Sequence, residues 1–129
     1  MIVGLGIDVA SVERMAESLE RFGERMWQRI LTAHEQRELA QRKDRAIALA
    51  GRFAAKEAAS KALGGPKDVW WQDVEVRKDP SGAPSLHFYG KALPYLERLG
   101  DVRALLSITH DAGVAAAVVV LEVNDRRGA

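Results

Sequence analysis

Residues 45–64 read RAIALAGRFAAKEAASKALG, and this stretch decides the fold. It is rich in residues that favour helices, so we predict a helix from about Arg45 to Leu63. Small residues recur at four-residue spacing along one face and allow very close packing against neighbouring elements: Ala50, Ala54, Ala58 and Ala62. Gly64, which can adopt the left-handed conformation, ends the helix ahead of Gly65 and Pro66. The sequence therefore predicts a long helix at the centre of the molecule.

Other segments show the alternation that is typical of strands. In the first, Gly4, Gly6 and Asp8 alternate with apolar residues, so one face is bare enough for another element to approach the backbone closely. The predicted strands are residues 3–9, a hairpin of 74–76 with 86–88, and the pair 105–109 and 114–123. The last strand is apolar on both faces from Val114 to Leu121, which indicates the interior of a sheet or a subunit interface.

Shorter helices complete the pattern. Ser11 is a candidate N-cap for a helix that runs through about Phe22, with an inner stripe of Val12, Met15, Leu19 and Phe22. Thr32 and Glu35 form a T-x-x-E capping box that begins a second helix, and a third covers about residues 91–99. We therefore predict an α+β fold, in which a long central helix packs on a largely antiparallel sheet, as a single domain over residues 1–129.

The composition argues against several classes of protein. The net charge of +1 at pH 7 is too balanced to indicate a nucleic-acid binder. The absence of cysteine excludes disulfides and thiolate metal sites and suits a reducing compartment. No apolar run approaches the roughly 18–20 residues of a membrane helix, and the N-terminus lacks the basic start of a signal peptide. We expect a cytoplasmic protein that binds neither membrane nor nucleic acid.

Three side chains are candidates for chemistry on phosphate groups. Glu57 and Lys61 are four residues apart and share a face of the central helix, while Asp8 ends the glycine face of the first strand. Magnesium prefers oxygen ligands, commonly one or two carboxylates with water and substrate phosphates, so Asp8 and Glu57 could bind it and Lys61 could neutralise a phosphate. The alternative is an exposed Glu–Lys pair on the helix and a turn or cap residue at Asp8.

Two further features have both a functional and a structural interpretation. His110 follows Ser107-Ile108-Thr109 at a strand end, where a lone histidine is commonly structural. Arg14, Arg21 and Arg25 share one stripe of the first helix if that helix extends to residue 25. The stripe is either a docking surface for an acidic partner or a solvated, salt-bridged face.

Taken together, the motifs resemble those of the bacterial holo-acyl-carrier-protein synthases, the small trimeric phosphopantetheinyl transferases. The matching segments are residues 6–9, 29–32, 51–58 with 60–64, and 106–111, in the order of that family and over nearly the whole chain. The F-A-A-K-E-A-x-S-K-A-L-G element is the most specific of them. Two departures are Thr109, where the family often has serine, and the loop of residues 65–71, which differs from the commoner version.

The resemblance implies roles for individual residues. By it, Asp8 and Glu57 are magnesium ligands, Lys61 binds phosphate and joins Glu57 as a catalytic residue, and Arg52 and His110 contact coenzyme A. The first helix would meet the acidic helix of an acyl carrier protein, which assigns Arg14, Arg21 and Arg25 to that contact. The family is a homotrimer with active sites at subunit boundaries, so one site would draw residues from two chains.

The reaction implied by the resemblance is magnesium-dependent transfer of 4′-phosphopantetheine from coenzyme A to a serine of an apo-acyl carrier protein, with release of adenosine 3′,5′-bisphosphate. Glu57 and a metal-bound water are both candidates for the base. Two alternatives are a magnesium-dependent nuclease, which would need a basic groove, and a non-enzymatic trimeric interaction domain. The presence of Asp8, Glu57 and Lys61 together argues against the non-enzymatic alternative.

Overall fold

A three-stranded antiparallel sheet lies against the long helix that the sequence predicts, in a computed structural model that describes residues 1–124. The order of its strands is β1-β5-β4, and β2 and β3 form a separate antiparallel hairpin. The elements are β1 Ile2–Ser11, α1 Val12–Phe22, α2 Glu24–Ile30, α3 Ala33–Glu38, α4 Arg45–Ala62, a 3₁₀ turn Trp71–Asp73, β2 Val74–Lys78, β3 Pro84–Phe88, α5 Ala92–Leu99, β4 Val102–Asp111 and β5 Val114–Val123. The predicted α+β class is confirmed.

The glycines of β1 and the alanines of α4 are the two halves of one close contact. A Cβ atom added at Gly6 would lie 1.8 Å from the carbonyl oxygen of Ala58, and one at Gly4 would lie 2.3 Å from that of Ala62. Because β1 has no side chains at these positions, the backbones of strand and helix meet directly. The element that approaches the bare face of the strand is therefore the central helix, and this contact fixes how β1 lies along α4.

Local signals set the ends of α1. Ser11 caps it by accepting a hydrogen bond from the backbone N–H of Arg14, with an N···O distance of 3.1 Å. Gly23, with a positive φ of 60°, ends it one residue after Phe22. The prediction that Phe22 lies on the inner stripe with Met15 is wrong, because Phe22 in the last turn is 55% exposed whereas Met15 is buried.

The sheet has one covered and one open face. On the covered face, β5 buries Ala115, Ala117, Val119 and Leu121 against α4. On the open face, three side chains of β1 are more than half exposed, at 65% for Leu5, 62% for Ile7 and 59% for Val9. The single chain thus presents a contiguous apolar surface on the side of the sheet away from its helices.

Among residues 1–124, no helix combines the length and the hydropathy that crossing a membrane requires.

We expect Gly6→Ala and Gly51→Ala to have opposite effects on stability. The new methyl group at residue 6 would overlap a backbone carbonyl. Overpacking commonly costs about 1–3 kcal/mol, and we expect the free energy of unfolding to fall by an amount at or above the upper end of that range. At Gly51, within α4, the added Cβ would meet Ile108 at an ordinary 3.4 Å, and alanine in a helix interior is favoured over glycine by about 0.5–1 kcal/mol. Thermal melts of both variants at one protein concentration test this, and equal stability of the two would contradict the close-contact account.

Candidate active site

Lys61 joins the central helix to the end of the glycine face of β1. Its Nζ donates a hydrogen bond to Oδ1 of Asp8 at 3.1 Å and another to the carbonyl oxygen of Ile7 at 3.0 Å. Asp8 follows Gly4 and Gly6 on the face of the strand that lies against α4, so the close contact of the backbones brings its carboxylate to this lysine. The Lys61 side chain is about half exposed, which leaves its ammonium accessible to a ligand.

Glu57 lies one helical turn before Lys61 and is held by the 3₁₀ turn. Its Oε1 accepts a hydrogen bond from the indole N–H of Trp71, with an N···O distance of 2.8 Å. Both residues line a cavity of about 250 Å³ that also includes Ser60, Lys67 and Trp70. The loop of residues 65–71, which departs from the family pattern, therefore forms much of the wall beside Glu57.

The two carboxylates have the chemistry of a magnesium site. Within residues 1–124, the hydrogen bonds of Asp8 and Glu57 use one oxygen each, so the second oxygen of each is available to a cation. No group of three or more histidine, aspartate or glutamate side chains that could hold a metal occurs in that range. The remaining ligands would have to be water and substrate phosphates, which is how magnesium is commonly bound. The residues fit that ion.

Arg52 and His110 line a different cavity, of about 240 Å³, together with Arg42, Lys78 and Thr109. The Arg52 side chain is buried, and its Nε and Nη2 atoms have no hydrogen-bond partner within the described chain. Glu38 lies 3.7 Å from Nη2, and burial lowers the pKa of the guanidinium. The basic lining of this cavity is suited to binding an anion, and the unused donors of Arg52, which have almost no contact with solvent, would reach that anion after a shift of the side chain.

The single chain does not bring these two groups of residues together. Helix α4 crosses the sheet, with Gly6 of β1 against Ala58 near its end and Ile108 of β4 against Gly51 in its first half. Strand β5 lies between β1 and β4, so the outer strands are about 9–10 Å apart. The Asp8–Lys61 pair and the Arg52–His110 cavity therefore lie towards opposite edges of the sheet.

The predicted arginine stripe is divided between two helices. Gly23, with its positive φ, separates α1 from α2, so Arg14 and Arg21 lie on α1 and Arg25 lies on α2. The expectation of one continuous stripe is therefore wrong. A groove of about 670 Å³ instead combines arginines with apolar side chains, namely Arg21, Phe22, Arg25, Met26, Arg29, Ile30 and Trp71. Sequence reasoning missed Arg29 here, although the four-residue spacing of residues 21, 25 and 29 was a usable signal.

Comparison with known proteins identifies the family. A family model described as the 4′-phosphopantetheinyl transferase superfamily matches residues 4–119. The chain belongs to this superfamily.

Its relatives match over nearly their full length. The holo-[acyl-carrier-protein] synthase of Nitratidesulfovibrio vulgaris strain DP4 is 48% identical over 124 residues, which cover 95% of this chain and 99% of that protein. The crystal structure of the Neisseria meningitidis enzyme of the same name has a TM-score of 0.85 and 36% identity, covering 95% of this chain and all of that one. A Bacillus anthracis holo-(acyl-carrier-protein) synthase in complex with CoA (3′,5′-ADP) has a TM-score of 0.79 and 38% identity, covering 96% and 99%.

The site of this phosphopantetheinyl transferase rests on a buried ion pair that sequence reasoning did not predict. Lys56, 2% exposed, donates to Oε1 of Glu35 at 2.6 Å and to the carbonyl oxygens of Ile30 and Trp71, each at 2.8 Å. An ammonium has three N–H donors, and all three are used. Burial lowers the pKa of Lys56, and the adjacent Glu35 carboxylate opposes that effect.

Glu35 is equally well paired, because the predicted capping box is present. Its Oε1 accepts from the N–H of Thr32 at 2.8 Å, while its Oε2 accepts from the N–H of Val76 at 2.8 Å. Through these two side chains α2, α3, the 3₁₀ turn and β2 are all attached to α4. The capping box indicated one role of Glu35, but its sequence pattern contains no sign of the lysine 21 residues away.

We expect Lys56→Met to destabilise this phosphopantetheinyl transferase by about 3–5 kcal/mol, because it leaves the Glu35 carboxylate buried without its counter-ion. The double variant Lys56→Met/Glu35→Gln should recover part of that loss, since glutamine removes the buried charge but its one carbonyl oxygen can accept from the N–H of Thr32 or of Val76, not from both. Urea unfolding of both variants, with exposed Lys43→Met as the control, measures the difference. A double variant no more stable than Lys56→Met would contradict this assignment.

Proposed function

We propose that this chain is a holo-[acyl-carrier-protein] synthase, which transfers the 4′-phosphopantetheine group of coenzyme A to a serine of an apo-acyl carrier protein and releases adenosine 3′,5′-bisphosphate. The observation that carries the proposal is the full-length match to enzymes of that name, one of them in complex with CoA (3′,5′-ADP). The arrangement of Asp8, Glu57 and Lys61 supports it, since a phosphate-transfer enzyme needs positive charge beside a cation site.

The positions of the site residues support a role for each of them in this proposal. Asp8 and Glu57 would hold magnesium through their free oxygens, and the ion supplies charge that stabilises the phosphate groups of coenzyme A. Lys61 would bind a phosphate oxygen with its exposed ammonium. The carrier serine forms a bond to the phosphorus that bears the pantetheine arm, the bond to the leaving bisphosphate breaks, and the Glu57 carboxylate is this chain's candidate to accept the serine proton. Catalysis by this chain is then mainly positioning and charge neutralisation.

The Arg52 cavity is our proposed second contact with coenzyme A. Coenzyme A carries a phosphate on its ribose as well as the pyrophosphate, and the unused donors of Arg52, beside His110, suit such a group. In one chain this cavity and the Asp8–Lys61 pair lie towards opposite edges of the sheet. One coenzyme A molecule could contact both sets of residues if Arg52 and His110 came from a neighbouring chain.

We propose that the protein is a homotrimer with its active sites at the subunit boundaries. The open apolar face of the sheet supports assembly, because Leu5, Ile7 and Val9 would otherwise remain in water. The half-buried Val118 and Val120 of β5 lie on the same face, in register with β1. Neighbouring chains on this face would both cover it and supply the second part of each site.

The groove between α1 and α2 is our proposed docking surface for the carrier protein. Its arginines would attract acidic side chains, and the exposed ring of Phe22 would give a partner helix an apolar contact. Arg14, on α1 beyond the groove, would extend the basic surface. We also propose a cytoplasmic location and a single domain over residues 1–129.

Mass spectrometry of an apo-acyl carrier protein incubated with coenzyme A, magnesium and this protein tests the activity. We expect a mass gain of one phosphopantetheine group per carrier. Glu57→Gln and Asp8→Asn should reduce transfer to background, because each keeps the side-chain shape and removes the charge that a cation needs. Glu97→Gln, on exposed α5, is the matched control. Full transfer by Glu57→Gln, or transfer without added magnesium, would refute the metal assignment, and no mass gain with the unmodified chain would refute the function.

Charge reversal in the groove should weaken binding of the carrier protein alone. We expect Arg21→Glu and Arg25→Glu each to raise the Kd for the carrier by about tenfold, equivalent to about 1.4 kcal/mol, while the Kd for coenzyme A stays unchanged. Arg14→Glu should have a smaller effect, and Arg98→Glu on α5 is the control. Rising salt should reproduce part of the loss, because exposed charges are screened over about 8–10 Å. Equal losses of affinity for the carrier protein and for coenzyme A would show that the groove is not the docking surface.

A charge on the open face of the sheet should disrupt assembly and activity together. We expect Val118→Asp to shift the protein from trimer to smaller species, with a parallel loss of turnover, because an unpaired carboxylate would be buried between chains. Leu93→Asp changes a partly exposed leucine on α5 and should leave both properties unchanged. Sedimentation velocity and turnover over a dilution series give the comparison. A monomer that retains full activity would show that each chain contains a complete site.

A further inference from the structure

Trp71 lies where the two proposed substrates would meet. Its side chain lines the cavity that contains Glu57 and also the groove that contains Arg21, Arg25 and Arg29. We propose that the indole N–H of Trp71 is a positioning group for Glu57, fixing that carboxylate so that its second oxygen is available to the cation. This inference rests on the proposed function.

The indole is held on several sides, so it can orient another group. Its ring packs on Phe53, with centroids 5.8 Å apart and an interplanar angle of 47°, and the guanidinium of Arg29 lies 5.9 Å from the ring centroid. The backbone carbonyl of Trp71 accepts a hydrogen bond from the buried Lys56 at 2.8 Å. These contacts attach both the ring and the backbone of Trp71 to neighbouring elements.

The turn that carries Trp71 is also closed internally. The N–H of Asp73 donates to the carbonyl oxygen of Trp70 at 2.9 Å, and the N–H of Trp70 donates to Oδ2 of Asp73 at 3.0 Å. The turn is therefore fixed before the chain enters β2. An indole donor on a closed turn presents its N–H in one direction.

Glu57 needs such a partner because its own side chain does not fix its orientation. A glutamate on a helix rotates about three bonds, and ordering it costs conformational entropy. The 2.8 Å bond from Nε1 of Trp71 to Oε1 restricts these rotations and uses only one of the two oxygens. The indole nitrogen donates a hydrogen bond but has no lone pair to accept one or to bind a metal. It therefore stabilises the carboxylate and leaves the second oxygen to the cation. Partners that orient metal ligands in this way commonly account for about 10–100-fold in metal affinity or activity.

The variant Trp71→Phe tests the role of the indole N–H separately from the packing of the ring. Phenylalanine keeps an aromatic ring against Phe53 but has no donor for Glu57. We expect the half-saturating magnesium concentration for transfer to rise by about tenfold, with kcat largely recovered at high magnesium. Trp27→Phe changes a buried tryptophan on α2 whose indole makes no hydrogen bond to Glu57 within residues 1–124. It controls for the general cost of the substitution and should leave the magnesium dependence unchanged. Thermal melts establish that both variants fold.

A second measurement needs neither turnover nor a substitution at residue 71. The chain has three tryptophans, so an amide-type ¹H–¹⁵N spectrum has three indole peaks, and Trp27→Phe and Trp70→Phe assign the third to Trp71 by elimination. We expect that peak to shift when magnesium is added together with adenosine 3′,5′-bisphosphate, and to shift in Glu57→Gln without metal. The Trp27 peak should be unmoved by either change.

The outcomes distinguish this inference from the function on which it rests. A folded Trp71→Phe with unchanged magnesium dependence, or a Trp71 peak unmoved by both magnesium and Glu57→Gln, would overturn the positioning role while leaving the metal assignment of Glu57 intact. A loss of turnover in Trp71→Phe that no magnesium concentration recovers would also overturn it, since a packing defect has that signature. If Glu57→Gln itself retained full transfer, the proposed metal site would be refuted first.

Discussion

The buried pair of Lys56 and Glu35 is the interaction on which the rest of the structure depends. Charges removed from water are stable only when every donor and acceptor is paired, and here the ammonium uses its three donors while both carboxylate oxygens accept. The partners of these two side chains belong to four separate elements around α4. An alternative packing would leave a buried charge without its partner. The pair therefore favours one arrangement of the short helices and the hairpin over the others.

The same helix carries a second constraint on its other side, where β1 contributes only glycine backbone at Gly4 and Gly6. These contacts leave no room for adjustment, so they fix the strand along the helix and with it the position of Asp8. The side chains proposed to bind the substrates, Glu57 and Lys61, and the structural Lys56 then lie within two turns of α4. Lys56 faces the buried network, whereas Glu57 and Lys61 face the strand and the loop. A change in how α4 is seated would alter the site and the core together.

Much of this could be predicted from the sequence, because the deciding signals are local. The helix of residues 45–62, the capping box at Thr32 and the hairpin all follow from spacing, propensity and turn residues. The burial of Lys56 and the unused donors of Arg52 could not be predicted, since each depends on residues distant in the chain. The prediction of one arginine stripe was wrong for a different reason. It extended the helical period through Gly23, where the backbone leaves the helical region. The separation of the Arg52–His110 cavity from the Asp8–Lys61 pair also required the order of the strands, which the motifs alone do not contain.

The open face of the sheet has a consequence for how the protein is made. A newly synthesised chain that completes its own core still presents Leu5, Ile7 and Val9 to water. In the proposed trimer, burying them would require an encounter with another chain, a step whose rate depends on concentration, whereas closure of the core does not. During this interval the chain is vulnerable to wrong association through an apolar surface and through the edge of β1. Under the proposed assembly, the yield of native protein would therefore be set by competition between correct encounters and aggregation. Slow synthesis would affect that competition differently from a loss of intrinsic stability.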